Sequence, residues 1–408
     1  MTPVLDIARI REDFPILASP YHGKQLVYLD SAVSGLMPKS VNERITHYQA
    51  FEHTNVHRGV SQLSQDATDR FEQAREKVRS LLGAPSIKQI VWTRGATEAI
   101  NLVAQTYGRQ HIHEGDEILL SAMEHHSDIV PWQMLAEERG AKIRVIPMND
   151  KGELLIEELD GLITDRTKIL GVTHVSNVLG TINPVKEIIA IAHAKGVPVL
   201  VDGAQAVPHV AVDVVDLDAD FYVFSGHKLY GPTGIGALYG KKEHLDAMPP
   251  WHGGGSMILS VSWEKTTFIG TPGKFEAGTP PIAQAIGLGA AIDYVKALGY
   301  PAIAAHGHEL LLYATDQLKG IPGLRIIGEA AHKASVISFV IEDVHPHDVG
   351  TILDSTGVVV RAGHHCAQPV MKFFRIPATT RASFACFNDR SDVDALVEGI
   401  RTVKEIFG

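Results

Sequence analysis

The sequence predicts an α/β fold: a mostly parallel seven-stranded sheet flanked by helices, followed by a smaller α+β region. Three observations lead to this prediction. Seven short, apolar and β-branched runs recur between residues 89 and 239, and helical patterns separate several of them. After about Gly289 the alternation gives way to a helical stretch and further strand-like runs. Strands that alternate with helices favour a parallel sheet covered on both faces.

The first part of the chain supplies the predicted sheet. Its strands are expected at Gln89–Thr93, Glu117–Ser121, Lys142–Pro147, Lys168–Thr173, Val197–Asp202, Asp220–Ser225 and Gly234–Tyr239. Helical patterns lie between them at Ala96–Gln105, Ile129–Arg139 and Val185–Lys195. Ligands of such sheets bind beyond the carboxyl ends of the strands, so polar residues at those ends are the first candidates for a site.

The second part of the chain predicts a smaller α+β region. A helical stretch at His308–Leu318 precedes strand-like runs at Arg325–Ile327, Val336–Ile341 and Val358–Arg361. A last helix is expected to begin at Ser391, a good N-cap residue. No Gly/Ser linker separates the parts, so we expect them to pack rigidly. The predicted division is a large domain at 25–295 and a small domain formed by 1–24 and 296–408.

Composition excludes several classes of function. The chain has 408 residues and a formal net charge of -10, which gives no electrostatic footprint for nucleic acid. No apolar run reaches the roughly 18 residues of a membrane span, and the N-terminus resembles neither a signal peptide nor a transit sequence. Only two cysteines are present, Cys366 and Cys386, which favours a reducing compartment. We therefore expect a cytoplasmic protein without a membrane or nucleic-acid partner.

Two strand ends carry residues suited to pyridoxal phosphate. Asp202 ends one apolar run and is followed by Gln205, while Ser225, His227 and Lys228 close another. A lysine can form the Schiff base, the acid can keep the pyridine nitrogen protonated, and the hydroxyl and imidazole can bind the phosphate. Taken singly, Lys228 reads as a surface lysine and Asp202 as a helix cap. Together they predict the cofactor.

The turn 93–98 adds a possible phosphate site. A strand ends at Thr93, Gly95 turns the chain, and a helix opens with Thr97 near its N-terminus. Free N–H groups and the helix dipole attract anions there, and the Thr97 hydroxyl is a further donor. Many α/β turns look like this one, so the motif alone is weak.

The segment Glu124-His125-His126-Ser127 follows another predicted strand. His125 is placed to stack on a cofactor ring and to move protons. A surface histidine or a metal ligand are the alternatives. Neighbouring histidines on an extended chain point in opposite directions and make a poor chelate, so no metal site is predicted.

The run 361–369, which we call the Cys366 loop, holds an arginine, two histidines and a cysteine among glycine and proline. Cationic neighbours favour the reactive thiolate of Cys366, although free cysteines are often inert and buried, as Cys386 is expected to be. Arg381 follows the loop and has the forked geometry that holds a substrate carboxylate. Asn177 could add a hydrogen bond, but an arginine at such a place is often structural.

These motifs, with others, resemble a known family. The chain is similar to the group II cysteine desulfurases of the SufS/CsdA type, in the class V aminotransferase branch of fold-type I pyridoxal phosphate enzymes. The resemblance rests on motifs in order along nearly the whole chain, namely 55–59 (NVHRG), 94–98 (RGATE), 124–126 (EHH), 174–177 (HVSN), 201–205 (VDGAQ), 224–234 (FSGHKLYGPTG), 253–258 (GGGSMI), 275–280 (FEAGTP) and 361–367 (RAGHHCA). The His-His-Cys motif is more similar to SufS than to CsdA.

The resemblance implies a cofactor role for a first group of residues. Lys228 would bind pyridoxal phosphate covalently, Asp202 would pair with its pyridine nitrogen, and His125 would stack on its ring. Gln205 would contact the phenolic oxygen. The phosphate ligands implied are Thr97, Ser225 and His227, with Thr279 reaching in from the other subunit of a homodimer.

The resemblance also implies the substrate residues and the reaction. Arg381 and Asn177 would bind the carboxylate of L-cysteine, and His57 and Arg361 would line the substrate pocket. Cys366 would accept the sulfur as a persulfide, leaving L-alanine, and would pass it to a SufE-like or SufU-like acceptor for iron–sulfur cluster assembly. The alternatives are a selenocysteine lyase, another enzyme of this cofactor such as a transaminase, or a catalytically silent assembly scaffold.

The chain departs from the family pattern at four positions. Ser61 stands where relatives often have histidine, and Ala96 replaces a common threonine. Val33 and Pro281 are also unusual. None of the four is a residue to which the resemblance assigns chemistry, so they bear on pocket detail and on the dimer contact.

Overall fold

The core of the computed structural model, which describes residues 4–407, is a seven-stranded sheet. Its strands are β1 (Ile90–Thr93), β2 (Glu117–Ser121), β3 (Lys142–Ile146), β4 (Thr167–Thr173), β5 (Val199–Asp202), β6 (Phe221–Ser225) and β7 (Gly236–Gly240). They lie in the order β1-β7-β6-β5-β4-β2-β3. Only β7 runs against its neighbours β1 and β6. The predicted sheet is confirmed, because each of the seven predicted runs overlaps one of these strands, five containing it in full and two missing one terminal residue.

Helices cover both faces of this sheet, which explains why its central strands are apolar along their length. Every residue of β5, β6 and β7 is buried, as expected for strands with helices on both sides. The longer helices among the described residues are Lys39–His47, Gln62–Leu81, Ala96–Val103, Val130–Arg139, Val185–Ala194, Ile282–Leu298, Tyr300–Lys319, Pro346–Ser355 and Arg390–Phe407.

The helix predicted at Ala96–Gln105 is α-helical only as far as Val103 and continues as a π-helical segment, Ala104–Gly108. The segment packs closely at Gly108. A Cβ there would lie 2.5 Å from Leu135 and 3.3 Å from Trp132, both in the helix Val130–Arg139. The widened turn therefore lies where two helices approach closely.

A second, antiparallel sheet lies in the C-terminal part. It contains β8 (Leu324–Ile327), β9 (Val336–Ile341), β10 (Arg361–Gly363) and β11 (Thr379–Ser383) in the order β8-β9-β11-β10. The strand predicted at Val358–Arg361 is wrong in extent. Val358–Val359 pairs in parallel with Val27–Tyr28, and Arg361 begins β10. The predicted domain boundary at residue 25 assigns residues 27–28 to the large domain, although they pair with residues 358–359 of the predicted small domain. The domain division itself stays a prediction.

The start of the last helix differs from the prediction. The helix begins at Arg390, and the Asp389 carboxylate accepts hydrogen bonds from the backbone N–H groups of Ser391 (2.8 Å) and Asp392 (3.3 Å). The predicted N-cap at Ser391 is therefore wrong, because an aspartate two positions earlier satisfies the free N–H groups. Within residues 4–407, the model contains no helix long and apolar enough to cross a bilayer.

Candidate active site

A cavity of about 250 Å³ opens at the carboxyl ends of β2, β4, β5 and β6, and we call it the central cavity. Most of the predicted site residues line it. They are Thr97, His125, Asn177, Asp202, Ser225, His227, Lys228, Arg361, Cys366 and Arg381. The shared strand polarity brings them together, because the carboxyl ends of parallel strands meet at one edge of the sheet.

Asp202 and Lys228 face this cavity from the ends of neighbouring strands. Asp202 is the last residue of β5, and Lys228 ends a short 3₁₀ turn directly after β6. Burial lowers the pKa of Lys228, while the charge of Asp202 opposes that shift. Burial likewise raises the pKa of Asp202, against the pull of Lys228 and of the hydrogen bond from Ala204 N–H (2.9 Å). The two groups thus influence each other's charge inside a desolvated cavity.

One wall of the cavity is the N-terminus of the helix Ala96–Val103. Gly95 precedes that helix with a φ of 154°, a conformation that favours glycine. The Ala96 N–H donates to the Ser225 hydroxyl oxygen at 2.9 Å, and the hydroxyls of Thr97 and Ser127 lie 2.7 Å apart. Free N–H groups and three hydroxyls at a helix start form a cradle for an anionic oxygen group.

His125 enters the cavity from the loop after β2. Its Nδ1 accepts a hydrogen bond from the Ser127 N–H at 3.0 Å, which leaves Nε2 for other contacts. Burial, and then the positive charges of Lys228 and Arg381, lower its pKa to about 3. The ring is therefore neutral near pH 7 and suited to stacking. The neighbouring His126 points elsewhere, since its Nε2 accepts from the Gln368 N–H at 3.1 Å.

Arg381 lies in β11 and is almost fully buried, with 2% of its surface exposed. It donates to the Asn177 carbonyl at 2.9 Å and forms an ion pair of 3.2 Å with Asp30. Its Nε is buried and has no hydrogen-bond partner among the described residues. Asp30 fixes the guanidinium while leaving part of its fork free for an incoming carboxylate.

The Cys366 loop is held against the edge of the large sheet. Asn177 donates from Nδ2 to the His365 carbonyl at 2.6 Å, and the His126 N–H donates to the Cys366 carbonyl at 2.7 Å. His365 and Cys366 both adopt left-handed backbone angles, with φ of 52° and 54°. Because side chains disfavour that region, the tertiary hydrogen bonds must hold the loop in place. Cys366 is exposed, whereas Cys386 is buried as expected.

Gln205 does not line the central cavity and is buried, with 3% of its surface exposed. Its amide donates to the Ala32 carbonyl, and its Oε1 is buried without a partner among the described residues. Asp202, Lys228, the helix start and this amide together fit pyridoxal phosphate: an acid for the ring nitrogen, an amine for the carbonyl carbon and N–H groups for the phosphate.

His57 and Thr279 lie outside the central cavity of their own chain. His57 lines one surface cavity and Thr279 another, and the two cavities share Glu276 and Gly278. An ion network connects them: His57 Nε2 lies 2.9 Å from Glu72, and the buried Arg75 binds Glu72 (2.9 Å) and Glu276 (2.6 Å). Within one chain His57 does not line the central cavity, and its place in the substrate pocket stays a prediction.

Some residues of the site escaped the sequence analysis. Ser127 and His365 line the central cavity, and Asp30 pairs with Arg381. Ser127 follows His125 by two positions, a spacing that could have flagged it. Asp30 gives no local signal, because it approaches Arg381 from 351 residues away. Ser61, one of the unusual residues, accepts a hydrogen bond from the Ser64 N–H and caps the helix Gln62–Leu81.

Comparison with known proteins identifies the family. The family model described as "Aminotransferase class-V" matches residues 27–396 of this chain. A cysteine desulfurase of Synechococcus elongatus is 51% identical over 98% of this chain, which spans 64% of that relative's length. A cysteine desulfurase of Pectobacterium carotovorum is 49% identical over 98% of this chain and 99% of its own length.

Solved structures agree with this assignment. The cysteine desulfurase CsdA of Escherichia coli, solved in an S-sulfonic acid form, superposes with a TM-score of 0.92 at 44% identity. The match covers 99% of this chain and all of that one. The chain therefore belongs to the class-V aminotransferases and, within them, to the cysteine desulfurases, a family that depends on pyridoxal phosphate.

Proposed function

We propose that this protein is a cysteine desulfurase that removes sulfur from L-cysteine, leaving L-alanine and a persulfide on Cys366. The observation that carries the proposal is the position of Cys366. An exposed cysteine lines the same cavity as the buried Asp202 and the half-buried Lys228. A transaminase or a silent scaffold gives no reason for a cysteine on a strained, tightly held loop.

The cofactor would be held by the residues that already surround the cavity. Lys228 would bind it, Asp202 would face its ring nitrogen, His125 its ring face, and Thr97 and Ser225 its phosphate. When bound, pyridoxal phosphate is an electron sink that stabilises negative charge on the α-carbon of an amino acid. Gln205 would contact the phenolic oxygen, and His227 would join the phosphate ligands.

Arg381 and Lys228 would handle the substrate. The free part of the Arg381 fork binds the carboxylate of L-cysteine, with Arg361 at the cavity wall. Since burial lowers the pKa of the Lys228 amine, that amine gives up its own proton more easily than an ordinary lysine. It can therefore take the α-proton of the bound amino acid and return it later.

Cys366 carries the sulfur step. Its thiolate attacks the sulfur of the bound cysteine, so that an S–S bond forms and the C–S bond breaks. The electron pair of the broken bond stays with the three-carbon fragment, which takes up protons and leaves as L-alanine. The overall change is a thiol plus L-cysteine giving a persulfide plus L-alanine, and no external oxidant is needed. Thiolates attack divalent sulfur readily.

The test is turnover of L-cysteine with alanine, sulfide and enzyme-bound persulfide measured together. Cys366→Ala should keep the cofactor, form no persulfide and lose alanine production by orders of magnitude. The matched control is Cys386→Ala, which removes the buried cysteine, whose pKa is raised to about 12 by burial. Wild-type turnover by Cys366→Ala would show that Cys366 only packs.

The same variants test whether the protein also acts on L-selenocysteine. Selenium leaves carbon more easily than sulfur, so selenide release from L-selenocysteine should fall less in Cys366→Ala than sulfur removal does. We propose selenocysteine lyase activity as a side reaction. If wild-type protein acts on L-selenocysteine alone, the desulfurase proposal fails and the lyase is the main function.

We also propose a homodimer in which each chain offers Thr279 and His57 to the other's cavity. The support is their place outside their own cavity, on loops joined by the Arg75 network. A mixture of Lys228→Ala and Thr279→Ala chains tests it. If Thr279 serves the cavity of the other chain, each mixed dimer has one cavity in which both Lys228 and Thr279 are intact. Alanine production by the mixture should then exceed that of either variant alone. Activity of the mixture equal to the mean of its parts would contradict the proposal.

For the sulfur acceptor, we propose a SufE-like or SufU-like protein that presents its own cysteine, in the cytoplasm and for iron–sulfur assembly. The loop supports this, because its carbonyls at 365 and 366 are both held and it cannot swing out far. Alanine production should rise with acceptor concentration beyond the rate with small thiols. Equal stimulation by an acceptor lacking its cysteine would contradict direct transfer.

A further inference from the structure

A loop between β2 and the helix Val130–Arg139 begins and ends with a carboxylic acid, and we call residues 124–128 the acid loop. Glu124 and Asp128 are both 0% exposed, and each carboxyl group influences the pKa of the other. The reaction described above uses neither. A buried carboxylate without a positive partner is costly, so this pair needs a physical explanation.

Each acid uses only one oxygen in ordinary hydrogen bonds. Glu124 Oε1 accepts from the Thr173 N–H at 2.7 Å and from the Ser121 hydroxyl. Asp128 Oδ1 accepts from the Trp132 indole N–H at 2.7 Å. The second oxygens, Glu124 Oε2 and Asp128 Oδ2, are buried and receive no hydrogen bond from any group in residues 4–407. A proton held between the two acids supplies the missing donor.

The charges around the pair favour such a proton. The packed elements supply Ser121 from β2, Thr173 from β4 and Trp132 from the following helix, all uncharged. The charged group that faces both acids is Asp202 of β5, which is itself acidic. Burial raises the pKa of Glu124 to about 7, and burial with the neighbouring carboxylates raises that of Asp128 well above its ordinary range.

We propose that Glu124 and Asp128 share one proton, donated by Asp128, and that this bond closes the acid loop and positions His125. Between the two acids, the loop reaches three parts of the site. His125 enters the central cavity, and Ser127 contacts Thr97 at 2.7 Å. The N–H of the third residue, His126, holds the Cys366 carbonyl. Glu124 and Asp128 are thus positioning residues, since they act through these neighbours.

The shared proton is a property of the folded chain and goes beyond the proposed function. Its effect on His125 rests on the proposed function. The experiments separate the two, because the first pair of measurements uses no substrate and can be made without the cofactor.

Infrared spectroscopy detects the proton directly. A protonated carboxylic acid has a carbonyl stretch that a carboxylate lacks, and it shifts in deuterated water. Near pH 7, Asp128→Asn should remove one such band, whereas the exposed control Asp150→Asn should leave all of them. Asp202→Asn identifies any band that belongs to Asp202. Unchanged bands in Asp128→Asn would overturn the proposal.

The pH dependence of unfolding is a second measurement. A pair with a raised pKa takes up a proton on folding, so its contribution to stability is present at low pH and lost as pH rises toward the folded pKa. From about pH 5 to about pH 7, the unfolding constant of the wild type should rise relative to Asp128→Asn by up to about tenfold per pH unit. Parallel pH profiles would overturn the proposal.

The positioning role is tested by comparing two variants of Asp128, one with and one without a hydrogen-bond donor toward Glu124. Asp128→Asn keeps an N–H donor toward Glu124, whereas Asp128→Val of similar size keeps none. The Val variant should show an altered visible spectrum of the bound cofactor and a kcat lowered by at least about tenfold, and Asn should restore most of both. A wild-type spectrum and kcat in the Val variant would refute the positioning role. If that variant does not fold, the two measurements on Asp128→Asn still decide whether the proton is shared.

Discussion

At the scale of single residues, the environment of Lys228 separates it from the other lysines. It is half-buried in the wall of the central cavity and shares that cavity with the carboxylate of Asp202, while Arg381 adds a repelling positive charge. Burial and repulsion favour the neutral amine, and the carboxylate limits the shift. A neutral amine is the form that attacks a carbonyl carbon, so the surroundings of Lys228 prepare it for covalent chemistry.

Lys228→Ala should abolish both the visible absorption band of the bound cofactor and the formation of alanine, because within residues 4–407 no other lysine lines the cavity that holds Asp202. The measurement is an absorption spectrum after reconstitution, followed by an alanine assay. Lys333→Met is the control, since burial also lowers the pKa of Lys333, to about 8, but its amine bonds to the Gly328 carbonyl. A wild-type spectrum in Lys228→Ala would refute the assignment.

At the scale of elements, the antiparallel strand β7 shapes the anion cradle. Its first residue, Gly236, pairs with Ser225 of β6 and with Thr93 of β1. A Cβ on Gly236 would clash with the Phe224 carbonyl and lie 2.6 Å from the Gly95 Cα. Both contacts are with backbone, so neither can move aside. The glycine therefore lets the turn at Gly95 close against the sheet.

Gly236→Ala should widen that turn, weaken cofactor binding and cost about 1–3 kcal/mol of stability by overpacking. Gly240→Ala, at the far end of the same strand, is the matched control. Its Cβ would meet only the movable Leu245 side chain, at 2.7 Å, away from the cavity. Titration of each variant with the cofactor, followed by absorbance, compares their cofactor affinities. Equal affinities in both variants would show that the cradle tolerates the extra methyl group.

The elements also show what a sequence can predict. The central strands of the large sheet were found because both of their faces are apolar, and the residues at their ends then had to meet. The strand β11 was missed because its residues, Thr379–Ser383, are mainly polar although all are buried. Their hydrogen bonds are long-range, as in the pair of Arg381 with Asp30, and no local pattern records them. The same holds for the ion network that joins His57 through Glu72 and Arg75 to Glu276.

At the scale of the whole molecule, several buried or half-buried histidines make stability depend on pH. Burial lowers the pKa of His125 and His365 to about 3 and that of His174 and His209 to about 4. Each is neutral when folded and takes up a proton when unfolded below about pH 6.5. The folded state therefore loses stability as pH falls from 6.5 toward these values. Buried carboxyls with raised pKa, such as Asp202, act in the opposite direction.

His209→Gln isolates the contribution of one histidine, since His209 does not line the central cavity. From about pH 6.5 to about pH 4, the wild type should lose up to about 1.4 kcal/mol of unfolding free energy per pH unit relative to the variant. Urea unfolding at several pH values measures the difference. The exposed His308→Gln is the control and should follow the wild-type profile. A wild-type slope in His209→Gln would mean that His209 takes up its proton in the folded state.

The position of β7 in the sheet also determines the order in which parts of the site can form during synthesis. It is the last strand of the large sheet to leave the ribosome, yet it lies between β1 and β6. A nascent chain that has not reached Gly240 leaves the edge of β1 unpaired, and so cannot assemble the phosphate cradle. Arg381 and Cys366 emerge later still. The residues proposed to hold the cofactor phosphate at Thr97 and Ser225 thus emerge before those proposed to bind the amino acid and accept its sulfur.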